Sequence, residues 1–315
     1  MFFRNIEKIF NEIEAPSKYC NGCSNLWRGL PLKVLNKIIK RIILNFFLKN
    51  KIKNSYPQNE EFLFRSARSA IYAILKSRDI GEGDQIIVSA FTCSAVTIAI
   101  NSTGAQIIYT EIKNNLSMNF ESIIQSLTPQ TKVVIVQNTF GVKGLSDKEI
   151  KKLKSIGLLL IEDNCLSIGT KINNKELNKT GDFSVESLES SKSITLGRGG
   201  IVRCNTQDFL DEFKFFYNSL FRESIISDFF KILQLWTNVF FAKYKIKNGY
   251  ILWYFFYGLH IFKPSRSENK KIASNHLKIG VLSNLLYKNL FYYKNNIYRD
   301  ANDVFNSVKN MLQEK

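Results

Sequence analysis

One lysine, Lys192, lies among serine and threonine residues just before a glycine-rich turn, in the segment LESSKSITLGRGG (residues 188–200). A lysine in a loop is usually a solvated charge, but these neighbours also suit a lysine held beside an anion or a carbonyl group. Asp163 lies just past one buried strand-like segment, and Ser187 and Lys192 come after the next one. In a sheet flanked by helices, residues that follow strands collect at the edge where ligands bind. We therefore take Lys192, Asp163 and Ser187 together as candidate site residues.

A phosphate-binding helix start is the second candidate feature. Ser66, Ala67 and Arg68 begin a helical pattern, and the free backbone N–H groups of a first helical turn can hold a phosphate. A lysine, a carboxylate and a phosphate cradle are what pyridoxal 5'-phosphate (PLP) needs, for a Schiff base and for a protonated pyridine nitrogen. An aspartate after a strand also suits Mg²⁺ in other doubly wound folds, so these residues alone leave both interpretations open.

The surrounding pattern alternates short apolar runs with helical segments from about residue 60 to 205. This alternation predicts an α/β fold with a mostly parallel sheet and helices on both faces. The predicted strands are Gln85–Ser89, Gln106–Thr110, Lys132–Gln137, Leu158–Asp163, Phe183–Ser187 and Gly200–Cys204. Residues 206–315 are aromatic-rich and mostly helical in pattern.

The order and wording of several motifs resemble the DegT/DnrJ/EryC1/StrS family of sugar aminotransferases, which have the PLP fold-type-I architecture. The motifs are GDQIIVSAFTCSAVTIAINSTGAQIIYTEI, LTPQTKVVIVQNTFG, LLLIEDNCLSIGT and GDFSVESLESSKSITLGRGGIV. The resemblance implies that Lys192 carries PLP, that Asp163 faces its pyridine nitrogen and that Ser187 contacts its phosphate. It also implies a nucleotide-linked keto-sugar as substrate, an amino-acid donor such as glutamate, a homodimer and a role in surface polysaccharide or glycoconjugate synthesis.

This chain differs from the family pattern at four points. The phosphate helix reads Ser66–Ala67–Arg68 instead of Ser-Gly-Thr, and either Arg68 supplies a guanidinium to the phosphate or it is a surface residue of its own helix. Cys93 replaces the aromatic residue that stacks on the cofactor, and Leu166 replaces the glutamine that bonds its phenolic oxygen. The chain ends where family members continue, so we expect the small C-terminal domain to be truncated. A catalytically degenerate protein that binds PLP or a sugar nucleotide is therefore the alternative function.

The predicted organisation is a basic N-terminal accessory region (1–55), a PLP-binding α/β domain (56–205) and a helical C-terminal region (206–315). Residues 31–53 contain no acidic residue and carry an apolar stripe at helical spacing. Such a helix either lies on an anionic membrane surface or packs on the core with a solvated lysine face.

The net charge and the cysteine content limit which partners and which metal sites we expect for this chain. The net charge of +17 favours anionic partners, but no nucleic-acid motif accompanies it, so nucleic acid is not an expected partner. Cys20 and Cys23 form a CxxC without a second pair, which we interpret as a loop rather than a metal site, and no metal is expected. Cys93 and Cys165 are expected to be buried small residues rather than nucleophiles. The N-terminus lacks the pattern of a signal peptide, so we expect a cytoplasmic protein. A peripheral contact with the inner face of the membrane is the alternative that the basic segment 31–53 leaves open.

Overall fold

A computed structural model describes residues 61–172, 175–189, 192, 195–244 and 277–291. The chain divides into two compact units, one of residues 1–50, 232–262 and 289–315, and one of residues 51–231 and 263–288. Only parts of two helices are described in the first unit. The second unit contains the whole sheet and the candidate site.

A seven-stranded mixed sheet forms the centre of the second unit, in the strand order β1-β9-β8-β5-β4-β2-β3. Strands β3, β2, β4, β5 and β8 run parallel, whereas β9 is antiparallel to both β8 and β1. The bounds are β1 Glu61–Phe64, β2 Gln85–Ser89, β3 Gln106–Thr110, β4 Thr131–Gln137, β5 Leu159–Asp163, β8 Phe183–Ser187 and β9 Gly200–Cys204, with β6 Lys171–Ile172 and β7 Lys175–Glu176 as a separate pair.

Seven α-helices are described. They are α1 Ala67–Ser77, α2 Ser94–Asn101, α3 Phe120–Gln125, α4 Asp147–Ser155, α5 Gln207–Ser219, α6 Ile225–Tyr244 and α7 Val281–Phe291. Their starts follow from capping residues: the side chain of Ser66 accepts a bond from the backbone of Ser69 at the start of α1, and Ser146 and Glu149 form a capping box at α4.

Apolar side chains cover both faces of the sheet. One face carries Val88, Ile135, Ile161, Val185 and their neighbours and packs against α1, α2 and α5. The opposite face carries Ile87, Val134, Val136 and Leu160 and packs against α3 and α4. A central strand buried on both sides needs a continuous apolar run, which is why these strands were readable in the sequence.

The predicted α/β fold, with a mostly parallel sheet and helices on both faces, is confirmed. Strand β1, which pairs with β9 at one edge of the sheet, was not predicted. The CxxC of Cys20 and Cys23, the basic helix at 31–53 and both histidines lie outside the described residues.

Candidate active site

The carboxyl ends of three parallel strands bring together polar side chains on one face of the sheet. Asp163 at the end of β5 lies directly opposite Gln137 of β4 and Val185 of β8. Ser187 is two residues beyond Val185, and side chains two residues apart along a strand share a face. Gln137, Asp163 and Ser187 therefore form a polar row at this edge, and all three are buried.

The first turn of α1 lies beside this row because two glycines allow close approach. Gly200 is directly opposite Ser187 across the β8–β9 pair, and Gly199 forms a bridge to Ser66. A Cβ atom at Gly200 would lie 2.6 Å from the carbonyl carbon of Ser66, so only glycine fits without a backbone shift. The start of α1 carries no acidic residue in its first turn. Its free N–H groups and the Ser187 hydroxyl thus suit one phosphate group.

Asp163 and Lys192 both act on the thiol of Cys165. The backbone N–H of Cys165 donates to Oδ1 of Asp163 at 3.0 Å. Burial raises the pKa of Cys165 well above its usual range, as do the charge and hydrogen bond of Asp163, whereas the positive charge of Lys192 lowers it. Lys192 is half-buried, and its effect on the pKa of Cys165 indicates that its charge lies near the Asp163–Cys165 pair.

Arg68 lies at the same helix start with part of its donor capacity unused. Its Nε atom is buried and has no hydrogen-bond partner among the described residues. A buried unpaired donor costs about 1–3 kcal/mol, which an acceptor such as a phosphate oxygen would recover. Ala67 lies in the first turn of α1, where backbone N–H groups have no partner within the helix, so the change from glycine does not remove the cradle.

Two of the predicted site residues are exposed. Cys93 lies at the N-cap of α2 with its side chain exposed, so the prediction that it is a buried small residue is wrong. Leu166, in the turn after β5, is 41% exposed. Cys165 is partly buried, in keeping with the expectation of a small packing residue.

Gln137 is a site residue that the sequence did not reveal. Its Nε2 donates to the Phe91 carbonyl oxygen at 2.8 Å and to Oγ1 of Thr139 at 2.9 Å, which ties the loop before α2 to the end of β4. Its Oε1 is buried without a hydrogen-bond partner among the described residues. The sequence signal that could have revealed Gln137 was a polar residue at the end of a long apolar run.

A buried amide network fixes the turns that follow β4 and β5. Nδ2 of Asn138 donates to Oδ1 of Asn164 at 2.7 Å, and the backbone N–H of Gly144 donates to Oδ1 of Asn138 at 2.7 Å. The hydroxyl of Ser167 donates to the Asn138 carbonyl oxygen and accepts from the N–H of Gly141. Satisfied buried networks of this kind hold loops rigid, and here they hold the loops on either side of Asp163.

Among the described residues, no group of three or more His, Cys, Asp or Glu side chains could hold a metal ion. None of the described helices is long and apolar enough to cross a bilayer.

Comparison with known proteins decides the family. The model of the DegT/DnrJ/EryC1/StrS aminotransferase family matches residues 60–239, more than half of the chain. The chain belongs to the DegT/DnrJ/EryC1/StrS aminotransferase family. The predicted resemblance is therefore confirmed, and the match covers every strand of the central sheet.

Two curated relatives of this DegT/DnrJ/EryC1/StrS chain have nucleotide-linked sugars in their names. GDP-perosamine synthase of Escherichia coli O157:H7 is 30% identical over 166 residues, which are 51% of this chain and 46% of the relative. A UDP-N-acetyl-3-dehydro-alpha-D-glucosamine 3-aminotransferase of Acidithiobacillus ferrooxidans is 30% identical over 139 residues, 44% of this chain and 38% of the relative. The chain spans about half the length, or less, of the curated relatives it matches.

One similar solved structure overlaps this chain only in part. A DegT DnrJ EryC1 StrS aminotransferase from Brucella abortus is 21% identical, covers 58% of this chain and 54% of its own, and gives a TM-score of 0.49. The family's aminotransferases depend on PLP. The site fits this group. The start of α1 beside Gly200 and the unpaired Nε of Arg68 suit the phosphate of PLP. The buried Asp163 suits its pyridine nitrogen.

Proposed function

We propose that this chain is a PLP-dependent aminotransferase that acts on a nucleotide-linked keto-sugar. The product would enter surface polysaccharide or glycoconjugate synthesis. The observation that carries the proposal is the polar row at the sheet edge, with Ser187 and the α1 start at one end, Asp163 in the middle and Lys192 nearby. Family membership supports the reaction class.

The chain's own residues have separable tasks in this proposal. The hydroxyl of Ser187 and the N–H groups of Ala67 and Arg68 would bind the phosphate, and the Asp163 side chain would accept a hydrogen bond from the pyridine nitrogen. The Lys192 amine would hold the cofactor at its aldehyde group, and as a free amine it would move a proton at the amine-bearing carbon of the substrate. When bound, PLP supplies an electron sink for the carbanion at the substrate's amine-bearing carbon.

Cofactor trapping on Lys192 tests this assignment. We expect the purified chain with PLP to show a visible absorption band, and borohydride reduction to place phosphopyridoxyl on the peptide that contains Lys192. Lys192→Ala should abolish the band and the labelled peptide. Lys132→Ala removes an exposed lysine at β4 and serves as the matched control. Label on another lysine in the wild-type chain would contradict the assignment.

A catalytically degenerate binding protein is the second candidate function. The exposed Cys93 cannot supply an aromatic ring to stack on the cofactor, and Leu166 cannot donate a hydrogen bond to its phenolic oxygen. Addition of glutamate to the PLP-loaded chain separates the candidates, because turnover converts the visible band to the pyridoxamine form. A trapped cofactor with no conversion by glutamate would favour the binding protein.

Subunit and membrane contacts complete the proposal. We infer a cytoplasmic homodimer, as the family resemblance implies, with weak peripheral contact to anionic lipid through residues 31–53. That segment's lack of acidic residues supports the lipid contact. Co-sedimentation with anionic vesicles that falls as salt rises is the expected result, and no binding at low salt would contradict it. Sedimentation velocity measures the oligomeric state.

A further inference from the structure

Three exposed apolar side chains follow neighbouring parallel strands at the same edge of the sheet as the polar row. Phe91 lies in the loop after β2, Phe140 in the turn after β4 and Leu166 in the turn after β5, and β4 lies between β2 and β5. Their exposed fractions are 49%, 67% and 41%. We call these three residues the apolar rim. Because Gln137 and Asp163 end β4 and β5, the apolar rim adjoins the polar row.

Phe140 lies in a tight turn whose shape does not suit an aromatic residue. The N–H of Val142 donates to the Thr139 carbonyl oxygen at 2.9 Å, and these two residues form an antiparallel bridge. The φ angles of the two central residues, Phe140 and Gly141, are 52° and 87°. Positive φ at both central positions defines a type I′ turn, in which asparagine and glycine are preferred. For a bulky side chain this left-handed conformation is unfavourable.

Hydrogen bonds hold the turn from both sides. The backbone N–H of Gly141 donates to Oγ of Ser167, in the loop after β5, at 2.9 Å. Nε2 of Gln137, in the polar row, donates to Oγ1 of Thr139 at 2.9 Å. An unfavourable backbone conformation persists only where the surrounding structure imposes it, and these bonds do so here. The backbone of Phe140 is therefore fixed in place beside the polar row.

Neither the turn nor the core accounts for a phenylalanine at position 140. Asparagine would fit the turn better. A side chain that is two-thirds exposed also removes little apolar surface from water. Residues held in unfavourable backbone conformations are concentrated at functional sites. An exposed aromatic ring at the ligand-binding edge of an α/β sheet suits contact with a flat, apolar part of a ligand.

We propose that the apolar rim, with Phe140 as its main contact, binds the nucleobase of a nucleotide-linked substrate. Aromatic side chains stack on the flat faces of bases, and Phe91 and Leu166 add apolar surface on the two sides of Phe140. The net charge of +17 complements the diphosphate that accompanies such a base. This contact rests on the proposed function, which supplies the nucleotide-linked substrate.

Calorimetric titration with GDP, UDP and inorganic diphosphate measures what the base contributes, because inorganic diphosphate carries none. The full chain is first incubated with PLP and freed of excess, so that the cofactor's phosphate cradle is filled. We expect wild type to bind at least one nucleotide more tightly than diphosphate. Phe140→Ala should weaken that nucleotide about fivefold or more and leave diphosphate binding unchanged. Equal binding of diphosphate and both nucleotides by wild type would overturn the proposal.

Two further variants accompany this titration. Phe140→Tyr keeps an aromatic ring and should retain the nucleotide affinity of wild type. Phe215→Ala removes an exposed ring from α5 and is the matched control, with nucleotide binding unchanged. An equal loss of nucleotide affinity in Phe140→Ala and Phe215→Ala would overturn the proposal.

Phe140→Asn separates a ligand contact from a structural role of the ring. Asparagine suits the first central position of a type I′ turn, so the melting temperature should rise by about 2–4 °C. Nucleotide affinity should nevertheless fall as it does in Phe140→Ala. A structural role predicts the opposite, a lower melting temperature with unchanged nucleotide affinity, and that result would overturn the proposal.

Two comparisons separate this contact from the aminotransferase assignment and from subunit assembly. Borohydride trapping on Lys192 with equal nucleotide affinity in wild type and Phe140→Ala would overturn the base contact and leave the aminotransferase assignment intact. Weaker nucleotide binding by Phe140→Ala without trapping on Lys192 would support the base contact and contradict that assignment. Sedimentation velocity that shows Phe140→Ala as a monomer and wild type as a dimer, with equal nucleotide affinity, would assign the apolar rim to an interface between two copies and overturn the proposal.

Discussion

Oδ1 of Asp163 accepts a hydrogen bond from the backbone N–H of Cys165 at 3.0 Å, which holds the carboxylate at the end of β5. We expect Asp163→Asn to keep the fold, because the amide oxygen can accept the same bond. The neutral amide cannot hold a proton on a pyridine nitrogen, so PLP affinity should fall about tenfold or more. Absorbance titration with PLP measures this, and an unchanged dissociation constant would remove Asp163 from the site.

Gly200→Ala should weaken PLP binding and stability together. The new methyl group would press on the backbone of Ser66 and Ala67, which must shift because neither contact is the end of a flexible side chain. We expect a loss of about 1–3 kcal/mol in the free energy of unfolding. Gly81→Ala, whose Cβ would lie 3.3 Å from the Thr103 carbonyl oxygen at the other end of the sheet, is the control and should leave PLP affinity unchanged.

Gln137→Leu should release the loop that precedes α2. The variant loses the 2.8 Å bond to the Phe91 carbonyl oxygen, so Cys93, already exposed, should be alkylated faster by a thiol reagent. Peptide mapping after iodoacetamide treatment measures the rate at Cys93 itself. Gln130→Leu, an exposed position before β4, is the control. Equal alkylation rates in both variants would show that Gln137 does not hold the loop.

Arg203→Gln should destabilise the chain strongly. The Arg203 guanidinium bonds Glu61 at 2.6 Å and pairs with Glu186 at 2.6 Å, and the hydroxyl of Tyr287 donates to Glu61 at 2.8 Å. Loss of the guanidinium leaves the buried carboxylates of Glu61 and Glu186 without this cation. We expect the free energy of unfolding, measured with denaturant, to fall by about 3–5 kcal/mol. Arg78→Gln, which breaks a more exposed ion pair with Glu212, should cost about 1 kcal/mol or less.

The ion pairs of Glu223 with Arg198 and Lys231 should make the stability of the folded chain depend on pH in acid. Glu223 has a pKa of about 2 in the folded chain against 4.5 ordinarily, so its contribution is fully present above pH 4.5 and is lost as pH falls toward 2. The contribution is on the order of 3 kcal/mol, from 1.36 kcal/mol per pKa unit. Wild type and Glu223→Gln should therefore differ in melting temperature at pH 6 and converge near pH 2. A constant difference across that range would contradict the assigned pKa.

The sequence predicted the strands well because β2, β4 and β5 are short segments rich in Ile, Val or Leu. Gln85–Ser89 and Gly200–Cys204 have the bounds that the pattern predicted. Strand β1 was not predicted, since Glu61–Phe64 is short and its partner β9 is distant in the chain. The predicted domain bounds at 55 and 205 remain a prediction.

Site residues could be predicted where they lie at the end of a strand. They could not be predicted where their role depends on which strands are neighbours in the sheet. Asp163 and Ser187 lie at the ends of predicted strands, so the pattern marked them. Gln137 became significant only once β4 was placed between β2 and β5, which one sequence does not specify. The exposure of Cys93 depends on where α2 begins, and helix boundaries are the least certain part of such a prediction.

The bridge between Ser66 and Gly199 joins segments that are far apart in the chain. During synthesis, α1 emerges from the ribosome long before β9 exists to receive it, and closure of so long a loop is entropically costly and slow. The phosphate cradle can therefore assemble only after most of the sheet has been made. PLP would then act on the last steps of maturation, by retaining chains that have already docked β9, and would give no help to shorter nascent chains.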